Sequence, residues 1–187
     1  MAVDVGPDVQ RAASQVIDDL KRRTERVVSR ARVTWVKSEQ LHLTVRFIGH
    51  VDPALGEKIR AALAAPLQTR AFDLTIEGTG TFPPKRPPRV VWAGITTGLE
   101  NLRAVEREVR ERLDHLVRPA EERDYHPHLT LGRVKNPAGL RPTVLLEGLE
   151  SVPFGSVRVA AVTLFESRLS SSGPTYIAIG RAELAHI

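Results

Sequence analysis

No cysteine occurs among the 187 residues, which excludes disulfide staples, thiolate nucleophiles and cysteine-bound zinc. It carries no information about compartment. No uninterrupted apolar run approaches the roughly 18 residues that a membrane-spanning helix needs, and no basic-then-apolar leader opens the chain. Neither a span nor a secretory signal is predicted, and a cytoplasmic location is the default. Flexible linkers are missing too. The expectation is one compact domain, or two small lobes sharing an interface, with enough chain to bury a substantial core.

With 42% apolar and 26% charged residues, the composition is that of a globular rather than a disordered chain. The formal net charge is +5 and the isoelectric point near 10.1. That balance favours anionic partners such as nucleic acid or nucleotides, with plain solubility as the duller explanation.

Hydrophobic spacing outlines the elements. Ala2–Val5 reads as a short strand, and Gly6-Pro7 opens a helix whose Val9, Ala12, Ala13, Val16, Ile17 and Leu20 share one face. Trp35-Val36 precedes a strand over Leu41–Ile48 that ends at Gly49. Asp52-Pro53 starts a second helix, with Leu55, Ile59, Ala62 and Leu63 as its buried stripe. Phe72, Leu74 and Ile76 alternate with polar residues, and Val90–Ile95 makes a further strand. Between them runs the stiff basic loop Pro83–Arg89. A helix over Leu99–Leu116 places Leu102, Val105, Val109, Leu113 and Leu116 on one face, with Glu106 and Arg110, and Glu108 and Arg112, paired on its solvated side. Pro142–Leu149 reads as a short helix. Val157–Glu166 and Tyr176–Arg181 read as strands joined by a turn at Ser170–Pro174. Polar-faced strands with short connections indicate antiparallel pairing, hence an α+β protein.

The strongest pattern is a repeat. His42-Leu43-Thr44-Val45 returns as His128-Leu129-Thr130-Leu131, each copy within a predicted strand. Two such matches among six histidines arise by chance in about one chain in a thousand. Along a strand, His42 and Thr44 share one face while Leu43 and Val45 share the other, and the second copy does the same. Two imidazoles and two hydroxyls then surround one small ligand, provided the strands lie side by side. Such a histidine pair serves acid–base chemistry near neutral pH, because one ring can be neutral while its partner is protonated. In phosphodiester hydrolysis the neutral ring takes a proton from the attacking water and the charged one protonates the departing oxygen. Threonine hydroxyls would donate to the phosphoryl oxygens.

These motifs, with Trp35-Val36, Arg46-Phe47-Ile48-Gly49, Arg89-Val90-Val91-Trp92 and Tyr125-His126-Pro127 through Gly132-Arg133, resemble the two-histidine (2H) phosphoesterase superfamily. The resemblance is to its RNA 2',3'-cyclic phosphodiesterase branch, formerly called 2'-5' RNA ligases, and runs from the start to the final strands. It implies a single 1–187 domain of two similar lobes: two antiparallel sheets flanked by helices, related by a pseudo-twofold axis, with a central cleft. It implies an enzyme that opens a terminal 2',3'-cyclic phosphate on RNA to leave a 2'-phosphate, with no metal and no cofactor. His42 would donate the proton to the leaving 3' oxygen, His128 would activate water, and Thr44 and Thr130 would hold the phosphate. Arg133, on the strand face of Leu131, resembles a basic position that contacts substrate. In the family the opening strand starts a residue or two before the segment matched by Ala2–Val5, which leaves open a native start upstream of Met1.

The expected partners are RNA ends or cyclic-phosphate nucleotides, with no membrane involved and a monomer as the working state. Two alternatives compete: 2'-5' RNA ligation by the reverse reaction, and a non-catalytic RNA or nucleotide binder using the Lys85, Arg86 and Arg89 loop. His126 and His128 have the spacing of a metal pair, but no cluster nearby completes a coordination shell. His50, His115 and His186 read as surface residues. Trp35, Phe82 and Trp92 could stack on bases, with core packing the better reading for both tryptophans.

Overall fold

Asp4 ends the opening strand β1 (Ala2–Asp4) by turning its carboxylate onto the amide of Gly6 at 2.9 Å. Pro7 then occupies the first turn of α1 (Gly6–Val27), where its missing N–H costs nothing. Val9, Ala13, Val16, Ile17 and Leu20 are all buried, and buried Thr24 satisfies its hydroxyl by donating to the Leu20 carbonyl at 2.8 Å. The computed structural model describes residues 1–117, 125–170 and 173–185. Ser171 and Ser172 of the expected turn, and His186, lie outside them.

β2 (Arg32–Trp35), a single 3-10 turn at Ser38–Gln40 and β3 (His42–Thr44) follow. β3 is shorter than the Leu41–Ile48 expected. The amides of Val45 and Arg46 both turn to the Met1 carbonyl, at 2.9 and 3.2 Å, and Arg46 is buried. α2 (Pro53–Ala62) starts as the sequence indicates, with the Asp52 carboxylate accepting the Leu55 amide at 2.8 Å. Then come β4 (Leu67–Arg70), β5 (Phe72–Phe82), β6 (Val90–Thr97), α3 (Leu99–Leu113), β7 (Leu129–Asn136) and α4 (Pro142–Leu145). The chain finishes with β8 (Pro153–Val159), β9 (Ala161–Ser170) and β10 (Gly173–Ala185). The strand expected over Val157–Glu166 therefore divides at Ala160. Buried residues step by three from Val159 to Val162, a slip in the alternation, and the two pieces pair with different strands.

The strands run in the order β4-β10-β9-β1-β3-β7-β6-β5-β8. Neighbours are antiparallel except β10 with β4, which are parallel. In place of the two antiparallel sheets expected, the path is one continuous sheet, because β3 pairs with β7; it falls into two halves, β4-β10-β9-β1-β3 and β7-β6-β5-β8. Their junction is narrow: β3 and β7 pair at Leu43 opposite Leu129. β2 lies along the same edge of β7 as β3, with Trp35 opposite Gly132. The segment from β2 to β3 is thus one interrupted strand, and the Ser38–Gln40 turn is the excursion that breaks it.

Helices cover one face. α1 lies against β8, and α3 against β4 and α2. Leu43, Leu129 and the buried stripes of α1 and α3 belong to a single apolar cluster, so the face opposite that cluster is the one free of helices. On α3 the charges do more than line a solvated surface. Glu108 accepts the amides of Gln68 and Thr69, at 2.6 and 2.8 Å, and so holds β4. Arg112 donates to the carbonyls of Ala65 and Pro66. Glu106 faces Arg46 across the helix-to-strand boundary, with an N–O separation of 3.9 Å.

Leu129 is fully buried at the junction of the halves. Leu129→Ala is expected to cost about 2–5 kcal/mol of unfolding free energy, read from urea denaturation; a loss within experimental error would show that the junction does not depend on this packing.

Candidate functional site

Antiparallel pairing of Leu43 with Leu129 decides what lies beside it. One step away along each strand, His42 comes opposite Thr130 and Thr44 opposite His128, all four on the face away from the two leucines. Burial agrees: both leucines are 0% exposed, whereas the four polar residues are half-buried. The strand spacing places the two histidine Cα atoms about 8 Å apart across this junction. The structure brings together all four motif residues singled out in the sequence.

Each imidazole is held in the same way. His42 Nδ1 donates to the Gln40 carbonyl at 2.7 Å, and His128 Nδ1 donates to the His126 carbonyl at 2.7 Å. In both copies the acceptor lies two residues earlier in the chain. The bond fixes the tautomer, so in each neutral ring Nε2 is the bare nitrogen available for proton transfer. For His42, the carbonyl is delivered by the Ser38–Gln40 turn that interrupts the strand.

The ring environments mirror one another as well. Tyr176 meets His42 edge-on at 5.0 Å between centroids, with Phe165 at 6.4 Å. Phe82 meets His128 edge-on at 5.1 Å, with Trp92 tilted against Phe82 at 5.2 Å. Trp92 lies across Gly80 of the neighbouring strand, where a Cβ would come 2.2 Å from the indole. On the other face Trp35 crosses Gly132 in the same manner, at 2.6 Å. Glycine opposite tryptophan leaves room for a flat ring on the sheet.

Arg133 reaches this face through an irregularity. Trp92 pairs with Thr130 but Val91 pairs with Gly132, so Leu131 is an extra residue in β7, a bulge. Strict alternation would put Arg133 on the buried side with Leu131, as the sequence reading had it. The bulge rephases the strand, and Arg133 instead lies opposite Val90, exposed, on the face of Thr130 and Trp92. Its charge is felt by both imidazoles. Burial is the main force holding His42 below the ordinary 6.5, against the Gln40 carbonyl, with the amino terminus and Arg133 adding to it. Burial likewise holds His128 down, against the His126 carbonyl and helped by Arg133 and His126. Both shifts favour the neutral ring in the free protein.

Sequence reasoning missed a tie between the motifs. The Tyr125 hydroxyl, three residues before His128, donates to the Thr44 carbonyl at 2.9 Å. Burial and the charge of Glu106 push its ionisation far up, so it stays a donor. Arg46, with its side chain 3% exposed, bonds Asp114 at 2.5 Å and binds the end of α3 to the chain leaving β3. A tyrosine near a histidine motif carries no signal of its partner, since that partner is a backbone oxygen 81 residues away. Among the described residues, no three histidine or carboxylate side chains gather where they could hold a metal ion.

A sequence profile of the 2'-5' RNA ligase superfamily matches residues 7–170. The chain is 36% identical over 179 residues to a protein of Methanothermobacter thermautotrophicus named RNA 2',3'-cyclic phosphodiesterase, covering 94% of this chain and 92% of that one. A protein of the same name from Aeropyrum pernix is 37% identical over 142 residues, covering 75% and 80%. Among solved structures, the crystal structure of a Thermus thermophilus protein superposes with a TM-score of 0.71 at 26% identity, covering 98% of this chain and 95% of that one. Escherichia coli LigT complexed with 3'-AMP superposes with a TM-score of 0.74 at 24% identity over the same shares, a likeness of fold.

Because the charge of Arg133 reaches both rings, Arg133→Gln is expected to raise both imidazole titration midpoints, a nearby cation disfavouring the imidazolium. Proton NMR of the ring Cε1–H signals reads this directly. Midpoints that stay put in the variant would place the guanidinium elsewhere.

Proposed function

The chain belongs to the 2'-5' RNA ligase superfamily, and from that premise we propose that it hydrolyses the terminal 2',3'-cyclic phosphate of RNA to a 2'-phosphate by metal-independent acid–base catalysis. The observation that carries this reading is the paired, tautomer-locked imidazoles on one face of the sheet across the Leu43–Leu129 junction. The relatives named RNA 2',3'-cyclic phosphodiesterase, at 30–37% identity, supply the substrate class.

Each step has a residue at hand. The cyclic phosphate lies between the rings, with the Thr44 and Thr130 hydroxyls donating to its non-bridging oxygens and Arg133 offsetting their charge. The bare Nε2 of His128 takes a proton from water as the water oxygen bonds to phosphorus. The P–O3' bond breaks, and the departing oxygen takes the proton held by His42, as the motif order implies. The products are a 2'-phosphate and a 3'-hydroxyl. His42 must be protonated for this, and the phosphate anion itself favours its imidazolium once bound. Two imidazoles carry both protons, so no bound ion is needed to activate the water. Ligation follows the same path in reverse and would use the same residues.

Three outcomes test this. His42→Ala and His128→Ala each lower kcat by about 100-fold or more on an oligoribonucleotide ending in a cyclic phosphate, while both variants keep the wild-type circular dichroism. Turnover at the wild-type rate in either variant would exclude the mechanism. A substrate whose departing 3' oxygen is replaced by sulfur, which leaves without a proton, should restore His42→Ala and not His128→Ala; the opposite rescue would exchange the two roles. Because both rings titrate below the ordinary imidazole value in the free protein, kcat/KM should follow a bell that peaks below pH 6.5, and an optimum above pH 8 would contradict it.

A further inference from the structure

The cations are unevenly placed. Residues 26–38, 78–99 and 125–146 hold ten lysines and arginines and no carboxylate, although the chain carries 22 aspartates and glutamates. The three stretches are neighbours in space. They contain β2, the end of β5 with β6, and β7, where Thr34, Arg133 and Val90 pair side by side. On the other half several arginines are paired locally: Arg60 with Glu57, Arg103 with Glu100, Arg168 with Glu166 and Arg181 with Glu183. Among the described residues, Lys85, Arg86, Arg89, Arg133 and Lys135 have no carboxylate within ion-pair distance, and all five are exposed. An uncompensated cation cluster of this kind is maintained against its own repulsion, which an anionic partner relieves.

Its position relative to the histidines gives it a direction. The basic loop begins at Phe82, whose ring meets the edge of His128, and runs outward from there. Four prolines, Pro83, Pro84, Pro87 and Pro88, stiffen it. Its far end is fastened, since the Arg89 amide donates to the Phe82 carbonyl at 2.7 Å and the Arg89 carbonyl accepts the Val134 amide at 2.8 Å. Arg133 and Lys135 follow on β7, and Arg32 on the adjoining β2. The result is a fixed row of positive charge leaving the site on the His128 side.

Resting on the function proposed above, we propose that this row carries the phosphodiester backbone of the RNA behind its reacting end, so that the protein is built for polynucleotide ends and not for cyclic mononucleotides. Arg133 marks where the strand leaves the catalytic opening. Lys135, Arg32 and the Lys85, Arg86 and Arg89 loop neutralise the phosphates that follow. Contacts of this kind read no sequence and depend on salt.

The test compares one nucleoside 2',3'-cyclic monophosphate with a decaribonucleotide ending in the same cyclic nucleotide, using the wild type and the triple variant Lys85→Gln, Arg86→Gln, Arg89→Gln. The wild type should show a lower KM for the decamer. For the five contacts of Lys135, Arg32, Lys85, Arg86 and Arg89, that KM should rise about 100-fold between about 50 and about 200 mM salt. The triple variant should raise the decamer KM about tenfold at low salt, flatten its salt dependence, and leave kcat and the mononucleotide kinetics unchanged. Equal KM values for the two substrates in the wild type, or an equal loss on both in the variant, would overturn the proposal. Should neither substrate be hydrolysed, the catalytic reading fails, and fluorescence anisotropy of the labelled decamer still decides this one. Salt-sensitive binding weakened in the triple variant supports it; binding the variant leaves intact refutes it.

Discussion

One pair of residues, Leu43 opposite Leu129, sets the relation between the two halves of the molecule. Each leucine is the second residue of a His-Leu-Thr run, and each is fully buried. Antiparallel pairing about that point is itself a local twofold operation. It turns two copies of a short sequence into a four-residue constellation in which each histidine faces the other copy's threonine. A slip of one residue in this register would exchange leucines for histidines in the core. The apolar packing beneath the strands is therefore what makes the polar face above them a site.

The surroundings repeat that symmetry with different materials. Both Nδ1 atoms bond a carbonyl two residues earlier, yet one carbonyl comes from a 3-10 turn and the other from the segment leading into β7. Both rings take an aromatic edge at about 5 Å, tyrosine on one side and phenylalanine on the other. The symmetry breaks in charge. Arg133 lies on β7, and among the described residues the basic row that continues from it has no counterpart on the β9-β10 side, where Arg168 and Arg181 are paired with glutamates. A pair of chemically equivalent imidazoles thus sits in an asymmetric field, the asymmetry on which the proposed RNA path rests.

Several side chains that would pass for ordinary solvated charges and hydroxyls hold this arrangement in place. Glu108 fastens β4 through two backbone amides, Arg46 reaches from the end of β3 to Asp114 beyond α3, and Tyr125 reaches from the second motif to the backbone of the first. All three cross between elements remote in sequence. Arg46 and Tyr125 brace the junction, where β3 and β7 pair at a single residue, while Glu108 fastens the far edge of the sheet.

The motif itself, the amphipathic helices, the Asp52 cap and the basic Pro83–Arg89 loop were legible in the sequence because each depends on residues a few positions apart, where spacing and chemistry are both visible. Two features were hidden for a common reason. The Leu131 bulge, which moves Arg133 to the histidine face, and the break at Ala160, which divides one expected strand between the two halves, are decided by the strand alongside and leave only a slip in periodicity behind. The sequence alone determined which residues would be chemically equipped: two histidines, each two residues ahead of a threonine. Only the tertiary structure decided that they share one face of the sheet and that Arg133 lies on that face too, because this depends on the register of β7 against β3 and β6, strands remote from it in the chain.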